Sequence, residues 1–231
     1  MKYLKEQLKK LVAKSANEKE LLTKLESGDI EFVMVTLVHE GVLSYDEYKK
    51  LRSDFEKRNK NLDIIRITSP RAFGESWAET HITEVVPELQ STKGTEAKGE
   101  YDVFYKNGKK TAKLEVKASR AADRTLHHVP YHERALISTD KDGLFDMNFQ
   151  QMKPTCFDAV IMIGVWADKI RYWLMTSDEI KNNKYFSTGQ HRGNKGYEGQ
   201  IHIKTENIDD FKKFEVTPKE ITAKLSKLAG S

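Results

Sequence analysis

The stretch DVFYKNGKKTAKLEVKAS, Asp102 to Ser119, decides how the rest of the chain is read. Asn107-Gly108 near its centre is a strong hairpin signal, because both residues tolerate the positive φ that tight turns between twisted strands require. Glu100–Lys106 and Lys110–Ala118 are therefore expected to be antiparallel strands. On the second strand Leu114 and Val116 are apolar while Lys113, Glu115 and Lys117 are charged, the alternation of a strand with one buried face. Side chains two residues apart share a face, so Glu115 and Lys117 point the same way. Pairing across the hairpin brings Asp102 beside Glu115, and two carboxylates and one ammonium converge on a small area of sheet.

The flanking sequence supplies a frame for that hairpin. Ser69-Pro70 is an N-cap followed by proline at the first helical position, and the helix it opens runs to Val86, where Pro87 stops it. Glu75 and Glu79 lie one turn apart on it, and Glu79 borders the apolar stripe of Ala78, Ile82 and Val86. A Ser-, Thr-, Lys- and Gly-containing loop leads into the hairpin. Downstream, Phe157–Trp166 is a near-continuous apolar run, as in a central strand covered on both faces. Asp168 marks a turn into a second strand, Ile170–Met175. Asn148-Phe149-Gln150-Gln151 is assigned to a helix packed beside the charged strand, where Gln150 can reach a phosphate or a water. Gln200–Ile203 reads as an edge strand, and Thr217-Pro218 with Glu220 caps a last helix.

Residues 1–60 read as helical. Leu4, Leu8 and Leu11 recur at helical spacing, Ser15 and Glu18 form a capping box for a helix ending near Gly28, and Ser44 with Glu47 opens another. Ile30–His39 suits either a buried helix or a strand and is assigned to helix. The predicted fold class is α/β (α+β): a central mixed β-sheet flanked by helices over residues 61–231, with a helical region over 1–60.

Phosphodiester cleavage needs the group that the hairpin assembles. Two carboxylates hold a hard divalent cation through oxygen, which suits Mg²⁺. A lysine beside them orients or deprotonates a water, or neutralises charge on the pentavalent transition state. The plain alternative is a cross-strand Glu–Lys pair on a solvated face, which leaves a DNA-binding module without catalysis. The order helix with Glu, then Asp102, then Glu115-Val116-Lys117 on consecutive strands, then an apolar strand, resembles the PD-(D/E)xK nuclease superfamily. Within it the chain is most similar to the type II restriction endonucleases, over about residues 70 to 175. Leu114–Ser119 (LEVKAS) carries the likeness, and Tyr101 stands where a proline often precedes the aspartate.

The resemblance implies a Mg²⁺-dependent endonuclease acting on a short duplex DNA site, or a structure-specific or repair nuclease of the same superfamily. It implies Asp102, Glu115, Glu79 and the Val116 carbonyl as metal ligands, and Lys117 as the catalytic lysine. A homodimer is the simplest reader of a palindromic site, and residues 1–60 supply a dimer contact or DNA clamp. The resemblance also places the protein inside a bacterial or archaeal cell.

DNA contacts are expected from two polar segments. Arg120, Arg124 and Arg134 flank the run His127-His128-Val129-Pro130-Tyr131-His132, and arginine suits guanine edges or phosphate. Ser187–Gln200 is glycine-rich and basic, with Gln190, Arg192, Asn194 and Lys195 expected to face DNA. The histidine run lacks the downstream Asn-to-His spacing of an HNH site. Net charge is +4, from 39 basic and 35 acidic residues, which permits a polyanion partner without demanding one. One cysteine, Cys156, excludes an intramolecular disulfide and a cysteine-based zinc cluster. The first residues, MKYLKEQLKKLVAK, lack the apolar core of a secretory leader, and no run is long enough to span a bilayer. A soluble, intracellular protein with no membrane contact is expected.

Overall fold

The computed structural model describes residues 2–96, 100–189 and 198–229. The chain divides into two compact units, Met1–Lys60 and Asn61–Ser231.

The first unit is helical: α1 (Lys2–Val12), α2 (Glu18–Ser27), α3 (Ile30–His39) and α4 (Tyr45–Arg58). Leu8, Leu21, Leu25, Val33 and Leu37 make its core. Ile30–His39 is thus a helix. Gly28 ends α2 at φ 91°, the left-handed C-cap that glycine adopts without a Cβ penalty, and Ser44 and Glu47 form the expected capping box on α4. The Ser15–Glu18 box does not form. Helix α2 begins at Glu18, with Asn17 as its N-cap, and Ser15 Oγ instead accepts the Asn17 N–H at 2.9 Å.

In the second unit, short α5 (Leu62–Ile65) precedes a π-helical segment (Ala72–Trp77) that continues as α6 (Ala78–Val85). The strands are β1 (Leu89–Ser91), β2 (Val103–Asn107), β3 (Lys110–Arg120), β4 (Asp146–Met152), β5 (Ala159–Val165), β6 (Ile170–Thr176), β7 (Phe186–Thr188), β8 (Gly199–Lys204) and β9 (Glu215–Val216). Helix α7 (Ser177–Lys181) follows β6, and α8 (Pro218–Leu228) comes last. A six-stranded mixed sheet has the order β1-β2-β3-β5-β6-β9, in which β5 runs parallel to β3 and antiparallel to β6. The hairpin turn is centred on Gly108-Lys109, one residue later than the Asn-Gly signal suggests. Asn107 pairs with Lys110, Gly108 has φ 61°, and glycine at the first central position is the type II′ requirement.

Every residue of β5 is buried, and each large aliphatic among them contributes about 1.5–3 kcal/mol on burial. One face of the sheet, with Leu114, Val116, Ile161 and Ile163, packs on Ile82 of α6 and on Ile221 and Leu225 of α8. The opposite face, with Val160, Met162, Trp173 and Met175, packs on a second, three-stranded sheet of order β4-β8-β7. Two expectations are corrected here. Asn148–Gln151 lies in strand β4, not in a helix, because Met147 and Phe149 alternate inward with period two. Gln200–Ile203 lies in β8, the middle strand of its sheet rather than an edge. No helix among the described residues is long and apolar enough to cross a membrane.

Candidate active site

Strand β3 outruns its hairpin partner, and the site lies where the two part. Beyond the Val103–Leu114 pair, the Asp102 N–H donates to the Leu114 carbonyl at 3.0 Å, while the Asp102 carboxylate accepts the Val116 N–H at 2.8 Å. The aspartate is thereby fixed against the backbone between Glu115 and Lys117. Glu115 and Lys117 register with Val160 and Met162 of β5 and share their face of the sheet, and the Lys117 ammonium sits 2.5 Å from the Glu115 carboxylate.

Both ends of that pair are nearly sealed from water, at 21% and 12% side-chain exposure. Burial, against the pull of Lys117, and repulsion from Asp102 lift the Glu115 carboxyl to about 7. Burial also raises Asp102, against the attraction of Lys117 and the Val116 N–H. Burial alone pulls the Lys117 ammonium down, but Glu115 and Asp102 more than reverse this and hold it above the ordinary lysine range. The two carboxylates share Lys117 as their nearest cation, with Lys153 acting on Glu115 and Lys93 on Asp102 from farther off.

Glu79 is buried on α6, as its position beside the apolar stripe implies, whereas Glu75 is exposed and pairs with Arg71. Glu79 is held by Lys93 at 3.0 Å, and burial raises its carboxyl. Among the described residues, no group of three or more His, Cys, Asp or Glu side chains is arranged to hold a metal ion. Asp102 and Glu115 repel each other across the hairpin; Glu79 is drawn to Lys93 yet still feels Asp102, and Glu75 acts on Asp102 and Lys117 from the same helix. The π-turn upstream spaces Phe73, Trp77 and His81 into a ring stack that ends on Tyr172.

The three expected arginines gather at one cleft but are differently engaged. Arg120 lies 3.5 Å from the Phe73 ring centroid and 4.7 Å from that of Tyr131, and donates to the Ile67 carbonyl. Burial lowers it to about 10. Arg134 donates to the Asp123 carbonyl at 3.1 Å and also meets Tyr131, and Arg124 pairs with Glu206. Gln150 is exposed on β4. Gln190, Arg192, Asn194 and Lys195 lie outside the described residues.

Sequence reasoning passed over Lys93, Lys153, Asn148 and the His202–Asp146 pair. Lys153 is close enough to Glu115 to favour its charged form. The strict polar–apolar alternation of Asp146-Met147-Asn148-Phe149 was the available signal for β4. Lys93 stands in a loop whose pattern carries no such signal. No protein-family model matches the chain, and no curated protein sequence matches it.

Proposed function

We propose that this protein is a Mg²⁺-dependent endonuclease that hydrolyses phosphodiester bonds in a short, specific duplex DNA sequence. The observation that carries the reading is the largely buried group of two carboxylates and one ammonium, Asp102, Glu115 and Lys117, where β2 and β3 part. Two carboxylates suit Mg²⁺, which commonly takes one or two from a protein and completes its octahedron with waters and substrate phosphate. Their raised carboxyls mark a place where an added cation relieves repulsion. Asp102 and Glu115 would hold the ion, with the Val116 carbonyl of β3 as a further oxygen; Glu79, on α6, would have to leave Lys93 to join them.

When bound, Mg²⁺ supplies polarisation of the scissile phosphate and acidification of a water. The chain's own groups do the rest. Lys117, kept protonated by its two carboxylate neighbours, donates hydrogen bonds to the phosphoryl oxygens as negative charge builds. The Val116 N–H keeps the Asp102 carboxylate from swinging away. Burial strengthens each of these interactions by excluding water. A homodimer matches a two-fold DNA site with two such centres, and the interior of a cell supplies the substrate.

The test is a gel of a long duplex DNA incubated with the protein in Mg²⁺ or in EDTA. Discrete fragments in Mg²⁺ alone are expected. Intact DNA in both lanes contradicts the nuclease reading, and a smear in place of bands contradicts its sequence specificity.

A further inference from the structure

At the C-terminal end of β3 lies a cleft of about 610 Å³. Arg120, Arg124 and Arg134 line it together with Asn148 and His202, and Asp146 is its one carboxylate. The last three belong to the outer face of the β4–β8 ribbon. Met147 and Phe149 of β4 and Ile201 and Ile203 of β8 turn into the core, so Asp146, Asn148, Gln200, His202 and Lys204 stand on the other side. Register sets Asn148 opposite His202 and Asp146 opposite Lys204.

This face is held in fixed orientations. His202 Nδ1 donates to Asp146 at 2.6 Å, the Lys204 ammonium is 3.5 Å from the same carboxylate, and Asn148 Nδ2 donates to Gln200 Oε1 at 3.2 Å. A surface that reads a donor–acceptor pattern needs such support behind its contacting groups.

A second observation points to a ligand. Among the described residues five buried side-chain polar atoms have no hydrogen-bond partner, and Asn148 Oδ1, Arg120 Nε and Arg134 Nε are three of them. All three belong to residues of this one cleft. Buried polar groups are ordinarily paired, and these three atoms are closed to solvent as the chain stands, so pairing the acceptor and the two donors takes a small shift of side chains and a partner that offers both kinds. Base edges do so, and asparagine is suited to the N6 and N7 of adenine. The major groove admits a two-stranded β-ribbon. Arg120 is three residues along β3 from Lys117, roughly 10 Å of backbone at about 3.3 Å per residue, and its side chain leaves the strand on the opposite face, against Phe73.

We propose that this cleft and the outer face of the β4–β8 ribbon read base edges of duplex DNA, with Asn148 and His202 setting the sequence preference. The choice of DNA as partner rests on the nuclease reading; the geometry of the cleft does not.

The experiment selects bound molecules from a pool of randomised DNA duplexes in Ca²⁺, so that no cutting is required, and sequences them. Wild type is expected to enrich one short motif. Asn148→Ala and His202→Ala are each expected to lose preference at one base pair, with discrimination there falling about tenfold. Thermal melts check that both variants fold. If Asn148→Ala does not, Asn148→Asp keeps the size, and it is expected to move the preference at that position towards cytosine, whose N4 donates to a carboxylate. Variants that enrich the wild-type motif unchanged overturn the proposal, as does a wild type that enriches none. Enrichment without Mg²⁺ cleavage would keep the reading face and discard the nuclease, whereas cleavage without a motif would do the reverse.

Discussion

Burial lifts the Glu115 carboxyl to about 7, against an ordinary value of 4.5, so the folded protein takes up this proton more readily than the unfolded chain. The sign of the linkage follows: the contribution to stability is intact below about pH 4.5, shrinks as the pH rises, and is gone above about 7. Thermal melts of the metal-free protein should therefore show wild type losing stability relative to Glu115→Gln across that window. A constant difference between the two would place Glu115 in a solvated setting. Asp102 is raised for the same leading reason, and Asp102→Asn keeps an oxygen for the Val116 N–H. That variant should melt higher than wild type without metal, by roughly 2–4 °C if about 1 kcal/mol of repulsion is relieved. Added Mg²⁺ should raise the melting temperature of wild type and leave the variant's unmoved. Lys117 has a different part. Lys117→Met should bind duplex DNA in Ca²⁺ as wild type does, yet cut about 10²–10³-fold more slowly in Mg²⁺, because its charge acts on the transition state. Equal losses of binding and cutting would reduce it to a phosphate anchor.

At the level of elements, what the sequence disclosed was periodicity and punctuation. The alternation at Leu114–Lys117 and the unbroken apolar run of β5 each announce a strand, because burial on one face or two leaves a distinct pattern. The β4 strand carried the same alternation in Asp146–Phe149 and was nonetheless assigned to a helix. A helical crossover is the usual link between parallel strands such as β3 and β5, and here a second sheet takes that place. The π-turn at Ala72–Trp77 has no signature in its residues. It shows in the backbone, where Ala72–Trp77 takes π-helical pairing before α6 begins at Ala78. Gly164 shows how tightly the β5–β6 face of the six-stranded sheet is packed. A Cβ there would lie 2.8 Å from the Trp173 ring and 2.9 Å from that of Trp166. Gly164→Ala should therefore destabilise the protein by about 1–3 kcal/mol through overpacking, read as a lower urea midpoint with an unchanged slope. An unaltered midpoint would mean that the tryptophans yield freely.

Over the whole molecule, the proposed chemistry and the proposed recognition fall on different parts of one sheet system. The carboxylate–lysine group lies where β2 leaves β3, and the arginine-lined cleft lies farther along β3, bounded by β4 and β8. Asp102, Glu115 and Lys117 could be named from sequence because strand pairing alone brings them together. The His202–Asp146 and Asn148–Gln200 pairs could not, since they depend on a register between segments more than fifty residues apart. Glu79 was legible as a buried-edge carboxylate, but its capture by Lys93 arises from a loop with no pattern to read. The central claim, that Asp102 and Glu115 together make a Mg²⁺-dependent phosphodiester-cleaving centre, is tested most directly by comparing wild type, Asp102→Asn and Glu115→Gln on one long duplex DNA in Mg²⁺. The account predicts discrete fragments from wild type and none from either variant, with all three proteins melting cooperatively. Fragments from either variant at the wild-type rate would contradict it.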